Sequence, residues 1–461
     1  MDDLSRCCMI ASHWTSSRSI IAATVSAEIA TLTRWHAVVI GAGPGGAAVA
    51  IRLARHNMRV LLVDRDSMPR PKLCGCCLSS MALAELADLQ IPSGKLRPVP
   101  LNAVCVAAAG GSAWIAMERS ACLSRESLDS TLVQQAIDAG AHWLPGVNVS
   151  AIEGALEDPH AWALGLSVGI LGRFVSQPLP FSGIVLQAEC AVVAAGLADH
   201  IRIQSGSESA IPRRFGWPAK RPLERRQTAL KSRVGVGTTL ATEAMDLESG
   251  KLVMAVARGG YCGLVRLEDG RIDLAAAIDR RLLSDSAGPA GAVRKILHEV
   301  FDGQPLDGFT LPSDDALTVA TYRATPPLTH RSSLVAGDTG RIFRVGDAAG
   351  YVEPFTGEGM GWALASSRLC AEAILAHWPP RVHPADPIQV VAAGNRYRRT
   401  YKRLFASHHA RCLRVARSLR LPRLVAGGLW LTRRVPWIAR SVLPLLVGSV
   451  APGHAQPWRR Q

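Results

Sequence analysis

Ala37-Val38-Val39-Ile40-Gly41-Ala42-Gly43-Pro44-Gly45-Gly46 reads as a buried β-strand that runs straight into a glycine-rich turn. A helical pattern follows through Ala47, Val49, Ala50, Ile51 and Leu53 and ends near His56-Asn57. A second apolar run, Arg59-Val60-Leu61-Leu62-Val63, stops at Asp64. This order of strand, G-x-G-x-x-G turn, helix, strand and acid is the dinucleotide fingerprint in the context it requires. Gly41 permits the tight turn, Gly43 and Gly45 let the backbone approach a pyrophosphate, and Gly46 lets helix and strand pack closely. The helix dipole and its free N–H groups then face the phosphates. Asp64, followed by Arg65, is placed to accept hydrogen bonds from a ribose diol.

Working outward, 461 residues suffice for two or three domains or one composite domain. Eleven cysteines are scattered without paired spacing, which argues against a secreted disulfide framework and for a reducing, cytoplasmic setting. The net charge of +15 is a property of the tail: residues 380–461 hold 16 Lys and Arg against the single acid Asp386, so residues 1–379 are neutral. No nucleic-acid-binding motif accompanies that charge. The uncharged stretch from Ser441 to Trp458 is broken by Pro444, Pro452 and Pro457, unlike a membrane span. Asp2 and Asp3 stand where a signal peptide carries positive charge. Residues 1–34 read as an unstructured extension, with a mildly amphipathic helix from Ile20 to Leu32 as the alternative.

After Asp64, Pro69-Arg70-Pro71-Lys72-Leu73-Cys74-Gly75-Cys76-Cys77-Leu78-Ser79 reads as a loop before a helix from Met81 to Leu89. No Cys/His pair at a suitable spacing completes a zinc site with C-x-C-C, so no metal is expected. Redox activity through Cys74 or Cys76-Cys77 and packing beside a cofactor both remain open. Ser124 reads as the N-cap of a helix through Leu132, Val133 and Ile137, with Arg125 in its first turn as an anion contact or a surface partner of Glu126 or Asp129. Strands are expected at 147–152, 162–171, 181–186 and 190–196. From about residue 201 to 328 the runs at 230–236, 251–257, 260–265 and 271–277 suggest an antiparallel sheet, joined by parts of 95–120.

Arg341 to Met360 reads as strand, turn and glycine-rich loop, leading into a helix from about Gly359 to His377. Asp347 at the end of a buried strand needs a partner, such as a ribityl or pyrophosphate-proximal hydroxyl, or else caps a plain turn. Gly357, Gly359 and Gly361 bring backbone N–H groups against a planar or anionic ligand. The tail from about 380 is helical and basic. Its arginines and tryptophans suit a helix lying on an anionic membrane surface, and equally a helix packed on the main body with a solvated basic face.

Together these motifs resemble the flavoprotein superfamily of aromatic-ring hydroxylases and geranylgeranyl reductases over residues 35–375. Gly41-x-Gly43-x-x-Gly46 with Asp64 looks like its ADP-binding motif, and Ser124-Arg125 like the helix start whose arginine contacts FAD. Gly346-Asp347-Ala348-Ala349, with Pro354 and Gly357-Glu358-Gly359-Met360, is similar to the second FAD motif, which runs along the ribityl chain to the isoalloxazine. Pro71-Lys72-Leu73-Cys74-Gly75-Cys76-Cys77 resembles the reductases' Cys-Gly-Gly-Gly loop, with cysteines in place of the last two glycines. The resemblance implies an α/β fold: a discontinuous Rossmann-like FAD domain at 35–200 and 331–378, a mainly antiparallel substrate domain at 201–330, and a helical tail at 379–461. It adds Arg65 and Lys72 to the cofactor contacts and makes Tyr261, Cys74 and Cys76 the catalytic candidates.

The chain departs from that pattern in carrying Ala195-Gly196 where Asp-Gly is usual. It keeps only the tyrosine of Tyr-x-Trp-x-Phe-Pro, at Tyr261, and lacks the halogenase tryptophan signature. The expected activity is FAD-dependent hydroxylation or C=C reduction of a hydrophobic isoprenoid, phenol or quinone-like molecule, with NAD(P)H as a transient reductant. The alternatives are a non-catalytic flavin- or lipid-binding protein and an electron-transfer flavoprotein feeding quinone.

Overall fold

The computed structural model describes residues 19–92, 94–154, 168–174, 183–205, 226–229, 232–302, 308–332, 340–353, 355, 357–377 and 387–434. Pro354, residues 162–167 of one expected strand, residues 1–18 and residues 435–461 lie outside the described residues.

Two large sheets carry the molecule. The first is built on the fingerprint strand Arg34–Ile40, buried at every position after Arg34. It pairs in parallel with Val60–Asp64 on one side and with Gly183–Val193 on the other. Gly183–Val193 carries two strands in tandem along its far edge: Val168–Phe174 runs antiparallel against its first half, and Ile342–Arg344 runs parallel against its second. Ile342–Arg344, about 150 residues downstream of the strand it pairs with, thus completes the core of this sheet. The helix Pro44–Ala54 starts in the fingerprint turn and is buried along almost its whole length, because two further helices, Arg125–Asp138 and Gly359–His377, pack on it.

The second sheet contains Arg323–Pro327, Val234–Leu240, Ile272–Ile278, Gly260–Arg266, Lys251–Ala257, Val99–Ala108, Gly111–Cys122 and Cys77–Leu78, in that order. Its pairs are antiparallel except that between Lys251–Ala257 and Val99–Ala108. The mainly antiparallel sheet is therefore as expected, and it takes in the hairpin of 99–122. The strand expected at 230–236 lies instead at Val234–Leu240. The strands expected at 181–186 and 190–196 are one, Gly183–Val193.

The expected N-terminal extension is corrected for residues 19–33. The helix Ala27–Leu32 is capped by Ser26. Ile21 N–H donates to the Met68 carbonyl at 2.9 Å and Thr24 N–H to the Trp143 carbonyl at 3.0 Å, so backbone pairing ties this segment to the first sheet. The tail is helical where described, as Pro387–Ser418 and Pro422–Arg434. No helix among the described residues is long and apolar enough to cross a membrane.

Candidate functional site

The two sheets face each other across one cavity of about 500 Å³. At one end lie Gly43, Gly45, Arg65, Lys72 and Arg125. The middle is lined by Gly346, Asp347, Gly357, Gly359, Met360 and Cys74, and the far end by Tyr261, Phe355, Val106, Met254 and Leu328. The structure thus brings together twelve of the residues singled out from the sequence, drawn from four separate stretches of chain.

Two helices that begin at the two glycine motifs hold this line together. A β-carbon on Gly45 would lie 3.2 Å from the Ala363 carbonyl oxygen, and one on Gly346 would lie 3.2 Å from the Ala363 β-carbon. Ala363, in the helix Gly359–His377, is therefore where the fingerprint helix and the second motif meet. Gly346 N–H donates to Ser366 Oγ of the same helix at 2.8 Å.

The cradle at the fingerprint end is open. The helix Pro44–Ala54 has no side-chain cap, and the amides of Gly45 and Gly46 have no partner within it. A β-carbon on Gly43 would meet only Arg125 Nη2, at 3.6 Å. The cradle therefore has a helix N-terminus for its floor and a guanidinium for its lid, which fits a pyrophosphate. Arg125 is held there by a bidentate pair with the buried Asp129, at 2.9 and 2.7 Å. Ser124 caps the same helix by accepting from Ser127 N–H and donates to Glu268 Oε1 at 2.6 Å, which anchors Arg125 to the second sheet. Lys72 is exposed to the cavity but surrounded by protein. Desolvation, then the cations Arg125 and Arg70, push its pKa below the ordinary lysine value, so the cradle concentrates positive charge that an anion would relieve.

Five expected site residues do not line the cavity. Gly41 and Gly46 act sterically: β-carbons there would sit 2.4 Å from the Ala194 oxygen and 1.8 Å from the Gly41 oxygen. Ala348 is buried in the core of the first sheet, and Cys76 is buried behind the loop. Asp64 departs from the expected ribose contact. Its carboxylate accepts from Ala42 N–H at 2.7 Å and Asp66 N–H at 3.0 Å, and from Arg70 through both oxygens. Arg70 claims it because the chain turns back six residues later. Arg65, Asp66 and Arg70 border the cavity instead. Three sequence signals went unread: Arg70 in the loop already noted, Glu353 beside Pro354, and Arg233 ahead of a glycine-rich strand.

The far end is apolar with one polar device. Tyr261 meets Phe355 edge-on, with centroids 5.1 Å apart. The fully buried Arg233 lies 5.5 Å from the Tyr261 ring centroid and pairs with Glu353 Oε1 at 3.0 Å. Burial first, then the nearby Glu353 carboxylate, raises the Tyr261 pKa, so its hydroxyl keeps its proton and serves as a donor. Cys74 lies in the middle of the cavity wall. A hydrogen bond from Cys76, reinforced by Arg125, outweighs its burial and lowers its pKa to about 6.

The family profile described as Pyridine nucleotide-disulphide oxidoreductase matches residues 35–156. The chain is 25% identical to the menaquinone reductase of Mycobacterium tuberculosis over 347 residues, 73% of this chain and 76% of that one. It is 26% identical to the digeranylgeranylglycerophospholipid reductase 2 of Methanopyrus kandleri, over 73% of this chain and 75% of that protein. Among solved structures it resembles CmlS, a flavin-dependent halogenase, with a TM-score of 0.59 and 18% identity, over 82% of this chain and 64% of the other. That likeness concerns the fold alone. With both flavin motifs on one cavity and relatives named as reductases, the chain is an enzyme, an FAD-dependent oxidoreductase similar to the geranylgeranyl reductases.

Proposed function

We propose that the protein uses FAD to reduce a C=C bond in a hydrophobic, isoprenoid-type substrate, with NAD(P)H as the electron source. One observation carries this reading: the cavity that begins at the cationic cradle ends, without interruption, in the apolar wall of the second sheet. Such a shape holds a dinucleotide and a greasy substrate end to end. The names of the relatives, a menaquinone reductase and a digeranylgeranylglycerophospholipid reductase, point the same way.

In this reading Lys72, Arg125 and the amide of Gly45 hold the pyrophosphate of FAD. Asp347, Gly357 and Gly359 lie along its ribityl chain towards Met360. FAD, when bound, supplies two-electron transfer. The chain orients the substrate on Val106, Met254 and Leu328 and excludes water there. Tyr261 Oη offers a proton at the apolar end.

A second reading is hydroxylation of a phenol or quinone-like ring. Tyr261, Phe355 and Tyr351 favour it, because they set three aromatic faces or edges around one part of the cavity.

The deciding experiment supplies FAD-loaded protein and NAD(P)H with a panel of polyprenyl quinones and geranylgeranyl lipids. The product is weighed with and without O₂. A gain of two hydrogens at equal rate without O₂ supports reduction, and O₂ uptake coupled to substrate supports hydroxylation. Turnover of neither class overturns the proposal.

The substrate class gives the tail a role. The helix Pro422–Arg434 seats Leu429 and Val425 in the apolar cluster that contains Tyr261, Met254 and Leu328. Its outer side exposes Leu424 (60%) and Trp430 (56%), beside Leu421 (57%) at its start. Residues 387–434 hold 12 Lys and Arg and no Asp or Glu. Such a helix suits peripheral binding to an anionic lipid surface next to the cavity's apolar end.

A further inference from the structure

Four thiols gather where the loop 71–79 meets the second sheet. Cys77 sits opposite Cys122 in the strand pairing, and Cys74 and Cys76 precede it. They are not equivalent. Cys77 and Cys122 are desolvated without a cation beside them, and burial raises both. The Cys122 thiol donates to the Arg266 carbonyl at 3.2 Å. Cys74 lies in the cavity wall, touches the guanidinium of Arg125 and shares a hydrogen bond with the thiol of Cys76.

The backbone between the two thiols is unusual. Cys76 has φ of +51°, the left-handed region that disfavours a side chain with a β-carbon. It is fixed there by Leu123 N–H, which donates to its carbonyl at 3.0 Å. Gly75 next to it has open space around it, its nearest outside atom being the Ala275 β-carbon at 3.9 Å from an added β-carbon. The chain therefore places a β-carbon where a glycine would sit without strain, and the result is a second sulfur against the first.

We propose that Cys74, in the cavity wall, and Cys76, buried behind it, form a two-electron thiol–disulfide couple, with Cys74 as the attacking sulfur and Cys76 as the resolving one. The co-reactant is a low-molecular-weight disulfide. The Cys74 thiolate attacks one of its sulfurs, a mixed disulfide forms, and one small thiolate leaves. Cys76 loses its proton, and its sulfur attacks Cys74 and expels the second small thiolate. Two protein thiols become one disulfide, and one small disulfide becomes two small thiols, so atoms and electrons balance. Arg125 favours the first step by stabilising the Cys74 thiolate. The eleven-membered ring that a C-x-C disulfide closes is accommodated by the freedom of Gly75 and the left-handed turn at Cys76. This couple does not depend on the proposed substrate.

The test incubates FAD-loaded protein in glutathione buffers of graded oxidation, then quenches, alkylates and maps peptides by mass. The expected result is a Cys74–Cys76 link with loss of two hydrogens and two titratable thiols. Cys76→Gly, which suits the left-handed backbone and so preserves folding, should instead accumulate glutathione on Cys74 alone. Cys77→Ala should leave the link unchanged. Retention of both thiols across the series, a stable glutathione adduct on Cys74 in the unsubstituted protein, or a link from Cys74 to Cys77 overturns the proposal.

Discussion

Gly43 and Gly46, three residues apart in one turn, separate folding from binding. At Gly46 a β-carbon would lie 1.8 Å from the Gly41 oxygen and 3.0 Å from the Ala194 β-carbon. Gly46→Ala should therefore cost more than about 3 kcal/mol, because neither partner can yield. Gly43 has an ordinary φ of −72° and only a flexible arginine tip in front of it. Gly43→Ala should keep the thermal midpoint of the FAD-free protein while weakening FAD binding at least about tenfold, as a methyl group fills the cradle. Equal loss of stability in both variants would contradict the geometry. Cys74 gives a second test. With a pKa of about 6, its alkylation by iodoacetamide in FAD-free protein should rise through pH 6 and level off above it. Replacing Arg125 with methionine should move that midpoint upward. The glycine roles were legible because each belongs to a local turn. The Asp64–Arg70 pair and the left-handed Cys76 were not, since both depend on how the loop folds back after the acid.

Among the elements, the helix Arg125–Asp138 was legible down to its cap. Ser124 was expected to cap it, and its Oγ does accept from Ser127 N–H. The tie from Ser124 to Glu268, 144 residues away, left no mark in the sequence. Ser124→Ala removes both bonds and should cost about 2 kcal/mol by chemical denaturation, above the ~1 kcal/mol of a cap alone. The helix Gly359–His377 falls where its glycines and apolar spacing place it. The strand Val234–Leu240 starts four residues later than the expected 230–236, leaving out Lys231 and Arg233 and taking in the glycine-threonine run. That run is a strand because it is paired on both edges, and Gly237 lets it lie close: a β-carbon there would be 2.6 Å from the Leu274 oxygen. Strand propensity gives no sign of such a close approach.

On the scale of the whole molecule, the cavity lies between two sheets that the chain visits alternately. Residues 99–122 belong to the second sheet and 125–138 return to the first, whose last described strand is Ile342–Arg344. Composition announced a basic tail but not which side of it faces outward. The structure seats Leu429 and exposes Leu424 and Trp430. Leu424→Ser with Trp430→Ser should lower binding to anionic vesicles at least about tenfold while leaving FAD binding intact, since each apolar side chain contributes ~1.5–3 kcal/mol on burial. Vesicle sedimentation at low and high salt checks it. Unchanged sedimentation would leave the outer face without that role.

The pairing of Ile342–Arg344 with Gly183–Val193, and of Ala363 with Gly45, also sets a schedule. During translation the fingerprint turn leaves the ribosome early, yet the helix that closes over it is encoded some 300 residues later. A nascent chain paused anywhere before that helix would present half a cradle to free FAD. Loading should therefore be a late event, close to release, and a stalled or prematurely terminated chain should be recognisable by its lack of colour.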